Sequence, residues 1–238
     1  MLHLKTTHVT FMKIDLRKFD FESNKILSSL SAQDQQIIMN QAETLRFKKG
    51  KLLFYENGIP TGVFIILSGR AKIFKTGLMG KDQIFYIYNK GDLMGYHALL
   101  CNENFEDSCE AIEDCEVAFI SKSRFEQLMK TIPSLHDLLI HNMSHEFGVL
   151  VNVITVLAQK QVRERLALYL LILTKKYDDA GILISREDLA NLIGTVRESL
   201  GRLLKELKED GLITVTGRAI HVVDEIKLLR IASSEYTH

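Results

Sequence analysis

Hydrophobic positions along this chain follow three successive patterns. From about residue 50 to residue 120 they come in short β-rich runs punctuated by glycine: Leu52–Tyr55, Gly62–Gly69, Ala71–Phe74, Gln83–Tyr88 and Cys115–Ile120. Runs of this length between turn residues predict an antiparallel jelly roll or barrel. Ser31 starts a short helix reaching about Glu43, and Ser123–Lys130 reads as another. After Pro133 the period lengthens. Leu139, Met143, Glu146/Phe147, Leu150, Ile154 and Leu157 recur at three- and four-residue steps as far as about Gln161. This predicts one long helix with a stripe suited to pairing with a second copy. Beyond Ser185 come two short amphipathic helices and two short strands. Residues 1–25 fit none of these patterns, although His8–Leu16 reads as a strand or a loose arm.

The stretch from Ser185 to Leu207 carries the most chemistry. Ser185 is a good N-cap, and Glu187 and Asp188 put negative charge where the helix dipole favours it. Leu189, Ala190 and Ile193 form an apolar side, Gly194 permits a sharp turn with positive φ, and Thr195 is expected to cap the next helix. Leu200, Leu203, Leu204 and Leu207 bury one side of that second helix, leaving Arg197, Glu198, Gly201 and Arg202 on the other. Arginine pairs bidentately with guanine and glutamate accepts from the cytosine amino group, so such a helix suits the major groove of DNA. Gly201 leaves room for close approach. The strands that follow, joined at Thr216-Gly217-Arg218, read as a wing with Arg218 at its tip.

At 238 residues, 46% of them apolar, the chain has room for two modest domains with proper cores. No run of about 18 apolar residues predicts a membrane span, and the N-terminus lacks a secretory pattern, so the expected location is cytoplasmic. Formal net charge is zero, and residues 162–238 hold 12 Lys/Arg against 12 Asp/Glu. Affinity for a polyanion then has to come from local placement, as in Arg197, Arg202, Lys205 and Lys208 against Glu198 and Glu206. Cys101, Cys109 and Cys115 match no zinc spacing or disulfide framework and read as buried, inert thiols. His141 and His145 share a helix face, but Glu146 reads as pointing elsewhere and no third ligand is evident, so no metal and no cofactor are predicted. Nucleophile elbows, P-loops and dinucleotide fingerprints are absent, and Asp178-Asp179 reads as a solvated turn, so the expectation is not an enzyme.

The C-terminal third resembles the DNA-binding end of the CRP/FNR family. The resemblance rests on Glu164-Arg165-Leu166-Ala167, Leu189-Ala190 with Ile193-Gly194, the run Arg197-Glu198-Ser199-Leu200-Gly201-Arg202, Gly211-Leu212-Ile213, and Asp224, Leu228 and Ile231-Ala232. Lys49-Gly50, Ile66–Gly69 and Lys90-Gly91-Asp92 are similar to the family's cyclic-nucleotide-binding-like domain. The fold implied is α+β: an N-terminal antiparallel β jelly roll or barrel over residues 1–132, a long dimerisation helix over 133–161, and a winged helix-turn-helix over 162–238. The resemblance implies that Arg197, Glu198 and Arg202 read bases, and Ser185, Arg186, Thr195, Ser199, Lys205 and Arg218 complete the expected DNA-binding set. The implied partners are double-stranded DNA and a second copy of the chain, with RNA polymerase as a further candidate.

In cyclic-nucleotide binders of this fold, a glutamate holds the ribose and an arginine about ten residues later holds the phosphate. Here Tyr96 stands at the first place and Phe105, or Asn104, at the second. From Gly91 to Ala111 there is no Arg or Lys, while Asp92, Glu103, Glu106, Asp107 and Glu110 are all acidic. A phosphate there would lack its bidentate partner, so cyclic nucleotide is not the expected effector, whose identity stays open. Gly95, Tyr96, His97, Phe105, Leu150 and Val151 are the expected pocket residues. The leading expectation is a dimeric, sequence-specific transcription regulator. The alternative is a signalling module with a degenerate effector pocket whose winged domain binds a protein.

Overall fold

The computed structural model describes residues 14–177 and 181–233. Most of the arm at His8–Leu16, and the pair Asp178-Asp179, lie outside the described residues. A 3-10 turn (Leu16–Phe19) and two short helices, α1 (Asn24–Ser28) and α2 (Ala32–Asn40), lead into the β domain. Its strands are β1 (Glu43–Phe47), β2 (Leu52–Phe54), β3 (Gly62–Ser68), β4 (Ala71–Thr76), β5 (Asp82–Tyr88), β6 (Leu93–Met94), β7 (Ser108–Ala111) and β8 (Cys115–Ser121), with α3 (Tyr96–Cys101) between β6 and β7. All pairings are antiparallel, in two four-stranded sheets ordered β1-β8-β3-β6 and β2-β7-β4-β5. The β domain is thus a jelly roll whose two sheets do not close into a barrel.

Alternation along β3 explains why that strand is apolar almost throughout. Phe64 and Ile66 point into the roll, among Phe54, Met94 and Val117. Val63 and Ile65 point outward under a layer built from Ile26, Leu99, Phe125 and Leu135. A strand covered on both faces needs hydrophobic side chains at odd and even positions alike. The outer layer includes α4 (Lys122–Thr131) and the start of the long helix α5 (Pro133–Gln159). Pro133 suits the first turn of α5, where a missing N–H costs nothing.

The helix ends at Lys160, whose backbone is extended at ψ 145°, and α6 (Val162–Tyr177) starts at once. There Glu164 accepts from the Gln161 N–H at 3.0 Å. Two helices therefore meet at a two-residue bend, Lys160-Gln161, without any glycine or proline linker. Leu166–Leu173 of α6 are buried on all sides, between the sheet containing β4 and β5 and the C-terminal elements. Those are α7 (Arg186–Leu192), α8 (Arg197–Glu209), the wing strands β9 (Ile213–Thr216) and β10 (Ala219–Val222), and α9 (Glu225–Ala232).

The winged domain is packed on the sheet β4–β5. Phe74, Ile84 and Ile87 of that sheet share one apolar cluster with Leu170, Leu189 and Leu192. The register between β4 and β5 slips, pairing Ile73 with Tyr86 but Phe74 with Ile84. Phe85 is the extra residue of this bulge, and the bulge turns it toward the opposite side of the sheet, onto a cavity. One two-strand ribbon thus carries the winged domain on one face and a cavity wall on the other.

Candidate nucleic-acid interface and effector cavity

Local chemistry builds the helix-turn-helix much as the sequence predicts. Ser185 caps α7: its Oγ accepts the Asp188 N–H at 2.9 Å and donates to the Asp188 carboxylate at 2.6 Å. Gly194 adopts φ +66°, and a Cβ there would meet Leu157 Cδ2 at 3.1 Å. Leu200, Leu204 and Leu207 are buried, each worth about 1.5–3 kcal/mol in removal from water. The other side of α8 exposes Arg197, Glu198, Gly201, Arg202 and Lys205, with Ser199 half-buried. Arg186 comes across from α7 to join Arg197, Lys205 and Lys208 around a surface groove of about 390 Å³. Arg218 is exposed at the wing turn, where Gly217 takes φ +60°.

Thr195 departs from expectation. The N-cap of α8 is Val196, with no side-chain cap hydrogen bond, and Thr195 is buried. Its carbonyl accepts from Lys81 Nζ of the β4–β5 hairpin at 2.6 Å. The turn is tight enough that Thr195 N–H is already taken by Ala190 O at 2.9 Å, which leaves the threonine facing the β domain instead of a groove. Ser185 is exposed, but its hydroxyl proton and one acceptor lone pair are used within the cap.

On the far face of the β4–β5 ribbon lies a cavity of about 630 Å³ against α5. Phe21, Ile73, Phe85, Met143, Leu150 and Val153 make much of its apolar wall. Its polar end holds Lys75, His97, Glu106, Asp107 and Glu146. Glu146 is buried and is the hub: it accepts from Tyr96 OH at 2.8 Å and from Asn142 Nδ2 at 2.9 Å, and its other oxygen lies 2.6 Å from His97 Nε2. Burial alone would lower the His97 pKa, but the Glu146 carboxylate outweighs it and holds the imidazole above its usual range. Lys75 Nζ bridges Glu56 at 3.1 Å and Glu106 at 3.0 Å. Asp107 is half-buried, and burial lifts its pKa to about 6, against the opposing pull of His97 and Lys75.

The match to known proteins falls on both halves of this arrangement. Residues 44–132 match the cyclic nucleotide-binding domain model and residues 164–231 the Crp-like helix-turn-helix domain model. The transcriptional activator protein anr of Pseudomonas aeruginosa is 29% identical over 196 residues, covering 79% of this chain and 80% of that one. The chain belongs to the CRP/FNR family of transcription regulators. A cyclic AMP receptor protein of Thermus thermophilus is 23% identical over 89% of this chain and 98% of its own. The structure of FixK2 from Bradyrhizobium japonicum shares the fold, with a TM-score of 0.74 at 22% identity over 80% of this chain and 96% of that one.

Set beside the CRP/FNR pattern, the expected pocket residues separate. His97 and Leu150 line the large cavity, while Gly95 and Phe105 border a smaller cleft of about 90 Å³ beside it. Phe105 is stacked on Phe54 with centroids 4.3 Å apart, as a core aromatic. Tyr96 is fully buried behind His97 and reaches the site only through its hydroxyl. Val151 lines neither cavity: it is 46% exposed, in the row beside Phe147. Each residue turns the helix by 100°, so the step from Leu150 to Val151 carries the side chain out of the wall. Glu146 and Lys75 are the residues sequence reasoning missed. An acidic residue inside an apolar stripe was the available signal for Glu146, since a carboxylate there must be buried with partners.

The pairing stripe also divides. Leu139 and Glu146 are turned into this chain's own β domain, whereas Phe147 and Ile154 are 71% and 64% exposed, alongside Ile140 and Val151. Of the cysteines, Cys109 and Cys115 are buried with thiols pushed up in pKa by burial, but Cys101 is exposed. His145 bonds Asp20 O at 2.8 Å, and among the described residues no three His, Cys, Asp or Glu side chains converge as a metal site. No helix among them is long and apolar enough to cross a membrane.

Proposed function

We propose that this CRP/FNR regulator acts as a homodimer on a palindromic operator in the cytoplasm, each α8 entering a major groove. The carrying observation is the division of α8 into a buried leucine side and an exposed side bearing Arg197, Glu198, Gly201, Arg202 and Lys205. In this reading Arg197, Glu198 and Arg202 contact base edges, and Arg186, Lys205 and Arg218 contact phosphates, with backbone amides at Ser185 and Ser199 beside them. Two-fold pairing along Ile140, Phe147, Val151 and Ile154 supplies the spacing of about one DNA turn that two half-sites need. RNA polymerase remains a candidate partner of the bound dimer.

The cavity against α5 is the effector site in this reading, and cyclic nucleotide does not suit it. The cations that line it, Lys75 and His97, are already held by carboxylates, and among the described residues no guanidinium lines it. Tyr96 replaces the family's ribose-binding glutamate and is locked by Glu146 and Asn142.

The test is a titration of selected palindromic and scrambled duplexes with wild type and Arg202→Ala. Loss of one bidentate contact costs about 1–3 kcal/mol on the cognate site and little on the scrambled one. Equal behaviour of both proteins on both duplexes removes the assigned readout. The balanced charge of residues 162–238 favours one alternative, a winged domain that binds protein. Salt-insensitive absence of DNA binding would select it.

A further inference from the structure

We infer that the cavity between the β4–β5 ribbon and α5 takes a small amphiphilic amine, its apolar body along the helix and its cationic group beside Asp107. This rests on the reading of the cavity as the effector site and adds the chemical class of the effector.

Size and lining define the body of the ligand. A space of about 630 Å³ walled by phenylalanine, isoleucine, leucine and methionine side chains suits a compact hydrocarbon or aryl group. Phe147 and Ile154 stand at its open side, so a partner helix there would cover the mouth.

Charge defines the head. Three carboxylates line the polar end, Glu106, Asp107 and Glu146, with Glu56 beside them on Lys75, against two cations. Lys75 is taken by Glu56 and Glu106, and His97 by Glu146. Asp107 is left over: among the described residues it accepts no hydrogen bond and forms no ion pair. Burial without a direct partner raises its pKa. His97 and Lys75 pull it down, while Glu106 and Glu56 push it up. An ammonium placed there supplies the missing partner. The hydroxyl of fully buried Tyr88 is likewise unpaired and lies within the electrostatic reach of Glu146 and Asp107. An anionic ligand meets the opposite situation, since it must displace a carboxylate from Lys75 or His97 and add a further negative charge.

The test uses the full chain in calorimetric and thermal-shift titrations with phenylbutylamine, phenylbutanoate, phenylbutanol and cyclic AMP. The amine is expected to bind and raise Tm, the acid and cyclic AMP to bind at least about tenfold more weakly, and the alcohol to fall between them. Asp107→Asn, its fold checked by Tm, is expected to lose about tenfold in amine affinity and to leave the alcohol unchanged. Amine affinity rises between about pH 5 and 7 as Asp107 ionises. Leu150→Trp, which fills the wall, blocks all the probes and locates the site. The inference fails if the acid binds as well as the amine, if Asp107→Asn binds the amine like wild type, or if none of the probes binds. Each of these results is separable from failure of the regulator reading, because operator binding by the same preparation is measured independently.

Discussion

Lys72 Nζ of β4 lies 2.6 Å from Asp188 Oδ1 of α7, so an ion pair ties the β domain to the first helix of the helix-turn-helix. The side chains are 8% and 14% exposed, and Glu110 adds a second contact to Lys72 at 3.1 Å. Burial works against the ammonium, but the two carboxylates outweigh it and raise its pKa. Lys81 on Thr195 O and Gln83 Nε2 on Leu192 O at 3.3 Å extend the seam toward the recognition helix. Lys72 and Phe74 face the winged domain, while their neighbours Ile73 and Lys75 line the cavity. Alternation along one strand therefore puts the cavity and the winged domain on opposite sides of the same few residues.

Lys72→Met is expected to loosen this docking. Removing one member of a buried pair costs up to about 3–5 kcal/mol, because Asp188 and Glu110 are left facing each other without the cation between them. The loss falls on the domain seam, so amide exchange of α7 quickens while that of β3 and β8 does not. A Lys72→Met/Asp188→Asn double-mutant cycle gives the coupling. Unchanged exchange in α7 would mean that the apolar contacts alone hold the domain.

Residues near one another in sequence made much of this legible. The Ser185 cap, the positive φ at Gly194 and the leucine side of α8 each follow from chemistry within a few positions. Lys72 and Asp188 stand 116 residues apart, and nothing in the local pattern of either announces the other. The long helix was legible as a helix but not in its phase. With apolar residues on the barrel side and again on the open side, its periodicity admits more than one rotation, which is why Val151 reads as a pocket residue and Glu146 does not. Thr195 fails for a related reason: a threonine before a helix predicts a cap, but packing against Lys81 took the turn one residue further.

His97 and Glu146 give a pH signature. With a raised folded-state pKa, His97 contributes stability that is fully present below its unfolded value of about 6.5 and is lost as pH rises through the folded value. Glu146→Gln leaves burial as the dominant influence, so the imidazole titrates below its usual range, and the slope of stability with pH across that region reverses sign. Histidine NMR titration of wild type and variant reads both midpoints. Coincident midpoints would show that the pair is not formed.

The exposed row on α5 predicts the oligomer. Phe147→Glu places a charge at the centre of Ile140, Phe147, Val151 and Ile154. Burying one such aromatic contributes about 1.5–3 kcal/mol, and a two-fold axis counts it twice. Sedimentation equilibrium is expected to show a dimer for wild type and a monomer for the variant at micromolar concentration, with Val149 and Val153 still buried and Tm lower only by the lost association. A variant that remains dimeric would move the interface elsewhere.

Two glycines of the helix-turn-helix are expected to respond in opposite ways. Gly194→Ala puts a side chain on a residue at φ +66°, 3.1 Å from Leu157 of the central helix. The left-handed backbone alone costs about 1–2 kcal/mol, so Tm falls, and DNA binding falls with it because the turn that sets α8 is displaced. At Gly201 no atom lies within 4 Å of an added Cβ, and φ is not positive. Alanine there stabilises the helix by about 0.5–1 kcal/mol. Yet Gly201 lies between Arg197 and Arg202 on the exposed side, where a methyl group stands in the way of close approach to DNA. Gly201→Ala is therefore expected to raise Tm while weakening operator binding. Stability and affinity that rise together in this variant would mean that α8 does not approach DNA by this face.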